Sequence, residues 1–335
     1  MSKIYEALLR AELERTTTEG RTSRDGTFSV GNLLAPETEE PSSALGVETG
    51  AIRESFGSDF AEASSAALAQ DELVSSDLGM GPLDLSLVPQ KPWHPILAAL
   101  PALADRGAGV EQFRILRSRL AEFREQGPMR TILVSSGLPG EGKSFVAINI
   151  AMAFARHKGN RVLIIDGDMR RSSLHKILGT SAEPGLTEYL SGAASLTEVM
   201  QRPLPTTGTG LPPGLSSIVF IGGGKDADKA GDLSASSRFA ELIEQMSATF
   251  DWIIIDSSPA NLVSDAVNLA RSADGVLLVG REGITRLKTA QQAQAQFKNS
   301  NILGFVLNAV RNLPAKSDYY GNYDGYKPDS YKPEK

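Results

Sequence analysis

The feature that most constrains this chain is Thr131–Ser144, TILVSSGLPGEGKS, in which an apolar run leads into a glycine-rich loop. Gly137, Gly142, Lys143 and Ser144 meet the spacing G-x-x-x-x-G-K-[ST]. Glycines let backbone N–H groups converge on phosphate oxygens, the lysine adds positive charge, and the serine hydroxyl can bind Mg²⁺. Because the loop follows an apolar run and precedes a helical pattern, it predicts a site for nucleotide phosphates.

The rest of the chain after Val110 alternates between short apolar runs and helical periodicity. This alternation predicts an α/β fold, with a mainly parallel sheet and helices on both of its faces. Ligands of such sheets bind at the carboxyl ends of the strands. The predicted strands are 130–135, 161–166, 217–222, 251–256, 275–280 and 303–309, and the predicted helices are 109–126, 144–158, 237–249, 265–271 and 284–299, with a helix-rich stretch over 174–200.

The first hundred or so residues have a different composition from the rest. Residues 1–15 show helical amphipathicity, which predicts a helix that docks on another protein; the alternatives are a frayed terminus or a helix folded back on the main domain. Residues 16–108 are rich in Ser, Thr, Glu, Ala, Gly and Pro and lack sustained periodicity, so we expect a largely disordered linker. The expected folded domain is 109–313, and a polar tail follows over 314–335.

Charge and composition exclude several classes of function. The net charge is −6, which gives no general electrostatic reason to bind nucleic acid. The absence of cysteine excludes disulfides and thiolate metal sites, and the three histidines have no metal-ligand spacing. No apolar run is long enough to span a bilayer and no secretion signal is recognisable. We therefore expect a cytoplasmic protein that reaches the inner face of the membrane through a partner.

Acidic residues follow two of the predicted strands. VLIID ends at Asp166, with Asp168 two residues later, and WIIID ends at Asp256. Phosphoryl transfer needs a cation that offsets charge on the transferred group, and carboxylates at strand ends beside a phosphate loop are suited to hold it. Either member of the Asp166 and Asp168 pair could instead cap the next helix. Arg170 could pair with phosphate or with these carboxylates.

Together these segments resemble the Walker A, A′ and B motifs of the bacterial tyrosine kinases. The three segments are Gly137–Ser144, Asp166-x-Asp168-x-Arg170 and Asp256-x-x-Pro259. The resemblance covers about residues 109–335. Over this range the chain is similar to the cytoplasmic kinase of capsule and exopolysaccharide synthesis systems. It implies a P-loop NTPase fold of the partitioning-ATPase type, with ATP and Mg²⁺ as cofactors.

The resemblance also implies roles for individual residues. Lys143 would contact the phosphates, Asp166 would act as base on a tyrosine hydroxyl, and Asn308 would touch the adenine. The implied metal ligands are Ser144, Asp168 and Asp256, and the implied catalytic set is Lys143, Asp166, Asp168 and Asp256. The implied nucleotide-binding residues are Gly137, Pro139, Gly140, Glu141, Gly142, Lys143, Ser144, Phe145, Arg170 and Asn308.

A charged stripe and a tyrosine cluster complete the resemblance. Glu111-x-x-Arg114-x-x-Arg117 is similar to a family element that lies between the subunits of a ring, although a lone stripe of this kind is more often a solvated face. The tail holds five of the seven tyrosines of the chain in a polar segment that cannot form a core. The family implies that they are autophosphorylation sites, and the alternative is a disordered tail that merely adheres to other surfaces. The tyrosines are Tyr319, Tyr320, Tyr323, Tyr326 and Tyr331.

The chain departs from the family pattern in two places. Residues 222–236 read GGGKDADKAGDLSAS where relatives carry a proline-rich segment, and the usual paired prolines after Asp256 are reduced to Ser258-Pro259. We expect a separate membrane activator of the polysaccharide co-polymerase type, and a tyrosine phosphatase as a further partner.

Two other functions remain open from the sequence. One is a non-kinase ATPase switch of the division-site or partitioning type, although such proteins carry a second lysine at the position of Leu138 and lack a tyrosine tail. The other is a nucleotide-binding adaptor for polysaccharide export whose kinase chemistry has lapsed.

Overall fold

Strand order in the sheet explains how distant segments meet at one edge. The computed structural model describes residues 83–204 and 212–311. Eight strands form one sheet in the order β1-β4-β5-β3-β6-β2-β7-β8, and all neighbouring pairs are parallel except β4 and β5. The strands are β1 (Gln90–Lys91), β2 (Thr131–Ser136), β3 (Val162–Asp166), β4 (Met200–Pro203), β5 (Ile218–Ile221), β6 (Trp252–Asp256), β7 (Gly275–Arg281) and β8 (Ile302–Asn308).

Helices cover both faces of this sheet. Their bounds are α1 (Ala108–Gln126), α2 (Lys143–Ala155), α3 (Leu174–Leu178), α4 (Leu186–Leu190), α5 (Leu196–Val199), α6 (Ala230–Ser234), α7 (Ser237–Ser247), α8 (Asp265–Ala270) and α9 (Leu287–Gln296). Two apolar clusters, one on each face, share the alternate side chains of the central strands. β2, β3 and β6 are buried along their whole length. Their sequences are mostly continuous apolar runs, as expected for strands covered by helices on both faces. The predicted α/β class is confirmed.

The short connections differ more from prediction than the core does. Each predicted central strand and long helix lies within three residues of its observed bounds. The helix-rich stretch 174–200 divides into α3, α4 and α5, and the edge strand β4 was not predicted. The atypical segment 222–236 contains a 3₁₀ turn at Ala227–Lys229 and α6, whose Ala230 is buried.

Residues 83–104 contact the core, although their composition predicted a linker. Trp93, Leu100 and Leu103 are buried in the cluster on the α2 face, and β1 pairs with β4. Prolines suggested a tether because they break periodicity, but three buried apolar side chains outweigh that local preference. The predicted docking helix 1–15 and most of the linker lie outside the described residues.

No helix within the two described ranges has the length and apolar composition that a membrane crossing requires.

Candidate active site

The phosphate loop lies between β2 and α2 and is shaped by glycine. Gly140 and Gly142 have φ of 79° and 95°, a region that strongly favours glycine. A Cβ on Gly142 would overlap Asn308 Nδ2, so this glycine also admits the asparagine side chain. The predicted loop residues therefore come together as one turn, with Pro139 at its exposed tip.

Glu141 stabilises the loop from inside. Its side chain is 1% exposed, and its carboxylate accepts a hydrogen bond from the Leu138 N–H at 2.8 Å and another from the Thr285 hydroxyl. Its backbone carbonyl accepts a hydrogen bond from Asn308 Nδ2 at 3.0 Å. Asn308 thus lies against the loop, and its contact with the adenine stays a prediction. Thr285 was not singled out because its sequence context is ordinary.

Lys143 lies among the three predicted aspartates. Its Nζ is 2.8 Å from Asp168 Oδ2 and 3.4 Å from Ser144 Oγ. Burial lowers the pKa of Lys143, but the negative charges of Asp256, Asp168 and Asp166 outweigh burial and raise that pKa above its ordinary value. The sheet therefore brings the predicted catalytic set together.

Asp256 is a fully buried carboxylate with open hydrogen-bonding capacity. It is 0% exposed, and neither carboxylate oxygen has a hydrogen-bond partner among the described residues. Desolvation raises its pKa to about 7, the charge of Lys143 opposes that shift, and the charge of Asp166 adds to it. The nearby Ser144 hydroxyl also lowers the pKa of Asp256, and a buried carboxylate with so little hydrogen bonding is costly unless a cation or water completes it.

Asp166 lies directly opposite Asp256, since the two are register partners in β3 and β6. Its Oδ2 accepts hydrogen bonds from Ser172 Oγ and from the backbone N–H groups of Ser173 and Leu174 at the start of α3. Its Oδ1 has no partner in the described part of the chain. Burial raises its pKa, and these hydrogen bonds oppose the rise. Asp166 therefore both caps α3 and leaves one oxygen open.

Arg170 pairs with an acidic residue that no sequence motif singled out. Its guanidinium is 2.7 Å and 3.3 Å from the two carboxylate oxygens of Asp265, which is 1% exposed at the start of α8. This pair joins the loop after β3 to the segment that follows Asp256. Arg170 was predicted to pair with phosphate or with the three aspartates; in the structure its guanidinium pairs with Asp265, and phosphate binding stays a prediction. The position of Asp265 in the sequence gave no signal beyond the helix-start preference for aspartate.

A cavity of about 430 Å³ lies beside the loop. Phe145 and Asn308 line it, together with Phe113, Val306 and Leu307. Phe113 and Phe145 meet edge to face with ring centroids 5.8 Å apart. Mostly apolar walls with a few polar side chains, those of Gln112, Arg119 and Asn308, suit a planar heteroaromatic ring.

The charged stripe lies on the first turns of α1. Glu111 and Arg114 form an exposed ion pair of 2.7 Å within the helix. Arg117 Nη1 donates to the Ala153 carbonyl at 3.2 Å. The tail tyrosines, from Tyr319 to Tyr331, lie outside the described residues.

Within the described residues, no group of three or more histidine, aspartate or glutamate side chains forms a preassembled metal site.

Comparison with known proteins places these features in a family. Residues 132–323 match the family described as the CobQ/CobB/MinD/ParA nucleotide binding domain. The tyrosine-protein kinase ptk of Acinetobacter johnsonii is 33% identical over 221 residues, which span 64% of this chain and 29% of that protein. The tyrosine-protein kinase CpsD of Streptococcus pneumoniae is 31% identical over 201 residues, which span 59% of this chain and 84% of that protein.

A solved structure agrees with the sequence relatives. The kinase domain of the Escherichia coli tyrosine kinase ETK superposes with a TM-score of 0.58 at 28% identity, covering 70% of this chain and 91% of that domain. The chain spans less than a third of the length of several relatives, ptk among them. On the matched family and the similarity to CpsD, the chain belongs to the CobQ/CobB/MinD/ParA nucleotide-binding domains and, within them, to the bacterial tyrosine kinases.

Proposed function

We propose that this chain is an ATP- and Mg²⁺-dependent protein tyrosine kinase that phosphorylates the tail of a neighbouring copy. The observation that carries the proposal is the convergence of Lys143, Asp168, Asp166 and Asp256 at the end of the phosphate loop, with Lys143 Nζ 2.8 Å from Asp168. A phosphate loop alone supports nucleotide binding. Buried carboxylates beside it add a metal-binding group and a base, which transfer to a hydroxyl requires.

Each side chain of the site has a separate role. The loop N–H groups and Lys143 bind phosphate oxygens. When nucleotide binds, the ion pair between Lys143 and Asp168 is replaced by an ion pair between Lys143 and phosphate. Asp166 lies opposite Asp256 with Oδ1 open and takes the proton of the tyrosine hydroxyl. The cavity beside Phe145 and Asn308 accepts the adenine.

The residues present fit a Mg²⁺ ion. Both buried oxygens of Asp256 lack partners in the described residues, and the Ser144 hydroxyl and Asp168 lie close to Lys143 in the same site. Hard oxygen ligands of this kind, completed by phosphate and water, are what Mg²⁺ prefers. Ser144, Asp168 and Asp256 would hold the ion. Bound Mg²⁺ would offset negative charge on the transferred phosphoryl group.

The acceptor is the tyrosine cluster Tyr319–Tyr331 of a second copy in a ring. The resemblance supports subunit contacts through Glu111, Arg114 and Arg117, of which the first two are exposed. It further supports cytoplasmic placement at the membrane through an activator, a phosphatase that resets the tail, and a role in polysaccharide chain length or export. Each phosphotyrosine adds about −1.5 to −2 charges beside an acidic site, so modification favours release of the tail.

The test uses two complementary full-length variants incubated with ATP and Mg²⁺. A Lys143→Met chain supplies tyrosines without activity, and a chain with all five tail tyrosines changed to phenylalanine supplies activity without acceptors. Mass spectrometry should find phosphotyrosine on the Lys143→Met tail only in the mixture. A wild-type protein without phosphotyrosine, even with the cytoplasmic segment of the activator present, would exclude the kinase. ATP turnover without phosphotyrosine would indicate the ATPase switch. A wild-type protein that shows neither activity but still binds its partners would indicate the adaptor.

A further inference from the structure

The two oxygens of the Asp166 carboxylate have different surroundings. Oδ2 accepts hydrogen bonds from Ser172 Oγ at 2.7 Å, Ser173 N at 2.9 Å and Leu174 N at 3.0 Å. Oδ1 is buried and accepts none from the described residues. Three donors use the acceptor capacity of Oδ2, so a proton that arrives at this carboxylate binds Oδ1.

The Ser172 hydroxyl links Asp166 to a histidine. Ser172 Oγ is 3.2 Å from His175 Nδ1, one turn along the chain. A hydroxyl has one proton, and that of Ser172 is donated to Asp166 Oδ2. The His175 ring must therefore donate its Nδ1–H to Ser172 Oγ. The result is a directed chain of hydrogen bonds from His175 through Ser172 to Asp166.

Resting on the proposed function, we infer that Ser172 and His175 are positioning residues that make Oδ1 of Asp166 the proton acceptor. In the transfer, the tyrosine oxygen bonds to the γ-phosphorus, the bond from that phosphorus to the bridging oxygen of ADP breaks, and the phenolic proton passes to Oδ1. Ser172 helps to hold the carboxylate through Oδ2 and leaves Oδ1 as the oxygen without a donor. His175 fixes the rotation of the Ser172 hydroxyl.

A purely structural role for Ser172 makes a different prediction. If Ser172 only stabilised the start of α3, its loss would lower stability and leave the turnover of folded protein unchanged. If it positions Asp166, its loss leaves only the two backbone donors on Oδ2, the carboxylate shifts from its productive position, and turnover falls while nucleotide affinity stays constant. Misplacement of a catalytic group by about 1 Å can cost on the order of 100-fold in rate.

The first experiment is steady-state kinetics on full-length variants, with the Lys143→Met chain as acceptor. Ser172→Ala should lower kcat by about tenfold or more, with KM for ATP within about twofold of wild type, and Ser172→Thr should restore most of the rate. His175→Phe should lower kcat, whereas His175→Asn, which keeps a donor near the Nδ1 position, should retain more of it. Equal rates for Ser172→Ala and wild type would overturn the inference.

The second experiment does not depend on kinase activity. The chain contains only three histidines, so ¹⁵N imidazole spectra of the full-length protein can be assigned with His94→Gln, His157→Gln and His175→Gln variants. His175 should show the Nδ1-protonated neutral tautomer, and Ser172→Ala should shift its population. An Nε2-protonated His175 in the wild type would refute the hydrogen-bond chain even if the protein is a kinase. An inactive wild type with the expected tautomer would refute the proposed function and leave the chain of hydrogen bonds in place.

Discussion

At the scale of single residues, Gly142 shows how one missing side chain permits the site. Its φ of 95° and the overlap that any Cβ there would have with Asn308 Nδ2 are independent reasons for glycine. Gly140 shares the positive φ but has open space around it. Comparing substitutions at Gly140 and Gly142 therefore separates the cost of backbone strain from the cost of the steric conflict with Asn308.

We predict that Gly142→Ala destabilises the protein by about 1–3 kcal/mol more than Gly140→Ala, because only the first displaces Asn308. Urea unfolding of both variants measures the difference. Gly142→Ala should also weaken nucleotide binding, measured by calorimetry. Equal unfolding free energies for the two variants would show that the Asn308 contact is unimportant.

Asp256 predicts a pH dependence of stability in protein prepared without nucleotide. Burial raises its pKa to about 7, whereas an unfolded aspartate titrates near 3.8. Between these values the folded state binds more protons than the unfolded state, so this group's contribution makes the free energy of unfolding fall as pH rises from about 4 to about 7. Asp256→Asn should remove that part of the decline.

The measurement is denaturant unfolding of wild type and Asp256→Asn across this pH range without Mg²⁺. The free energy of unfolding of the wild type minus that of Asp256→Asn should decrease as pH rises from about 4 to about 7. A constant difference would contradict the raised pKa. Because Asp166 lies opposite Asp256 and its charge adds to the pKa shift of Asp256, the difference reports the titration of the two carboxylates as a pair.

At the scale of elements, Asn149 of α2 attaches residues 97–103 to the helix that follows the phosphate loop. It is 0% exposed. Its Oδ1 accepts from the Ala102 N–H at 3.1 Å, and its Nδ2 donates to the Ala99 and Phe145 carbonyls at 2.9 Å. Because one buried amide pairs three backbone groups, this contact fixes the segment before α1 on the domain.

We predict that Asn149→Ala lowers the free energy of unfolding by about 2–4 kcal/mol, because the buried N–H of Ala102 and the partly buried carbonyl of Ala99 lose their partner. Hydrogen exchange should accelerate at residues 97–103. Asn160→Ala is the matched control, since Asn160 makes one side-chain bond, to the Phe154 carbonyl at 3.1 Å, and should cost less than about 1 kcal/mol. Equal losses in the two variants would contradict the attachment.

At the scale of the whole molecule, α1 presents Glu111 and Arg114 to solvent as an ion pair within one helix. An exposed pair of this kind contributes little to the stability of the domain itself. A role in subunit contact is consistent with its exposure and with the family resemblance. Exchange of the two charges distinguishes a solvated ion pair from a subunit contact. The exchange keeps an ion pair within the helix but reverses the charges that a neighbouring subunit would contact.

We predict that the double variant Glu111→Arg with Arg114→Glu lowers the free energy of unfolding by no more than about 1 kcal/mol, because an acidic residue is lost from the first turn of α1, but shifts the oligomer toward monomer. Analytical ultracentrifugation measures the assembly, and tail phosphorylation in trans should fall with it. Glu125→Arg, an exposed charge change on the same helix, is the control and should leave assembly intact. An unchanged oligomer in the double variant would exclude this stripe as the interface.

Much of the molecule follows from sequence patterns of short range. The central strands are continuous apolar runs because both their faces are buried, and the loop spacing requires glycines at fixed positions, so both features could be predicted. Residues 83–104 and β4 could not be predicted, because their burial depends on contacts far along the chain, such as Leu83 N–H with Thr249 Oγ1. Local preference there favoured a linker.

Residue patterns alone established that a phosphate loop, two aspartate-bearing strand ends and a tyrosine-rich tail occur in one α/β chain. The folded arrangement was needed to learn which atoms of those residues remain open. Ser172 and the first N–H groups of α3 occupy one oxygen of Asp166, and Asp265 engages Arg170. Hydrogen-bond partners are set by the distance between atoms in space, and strand order brings together residues that spacing along the chain leaves apart.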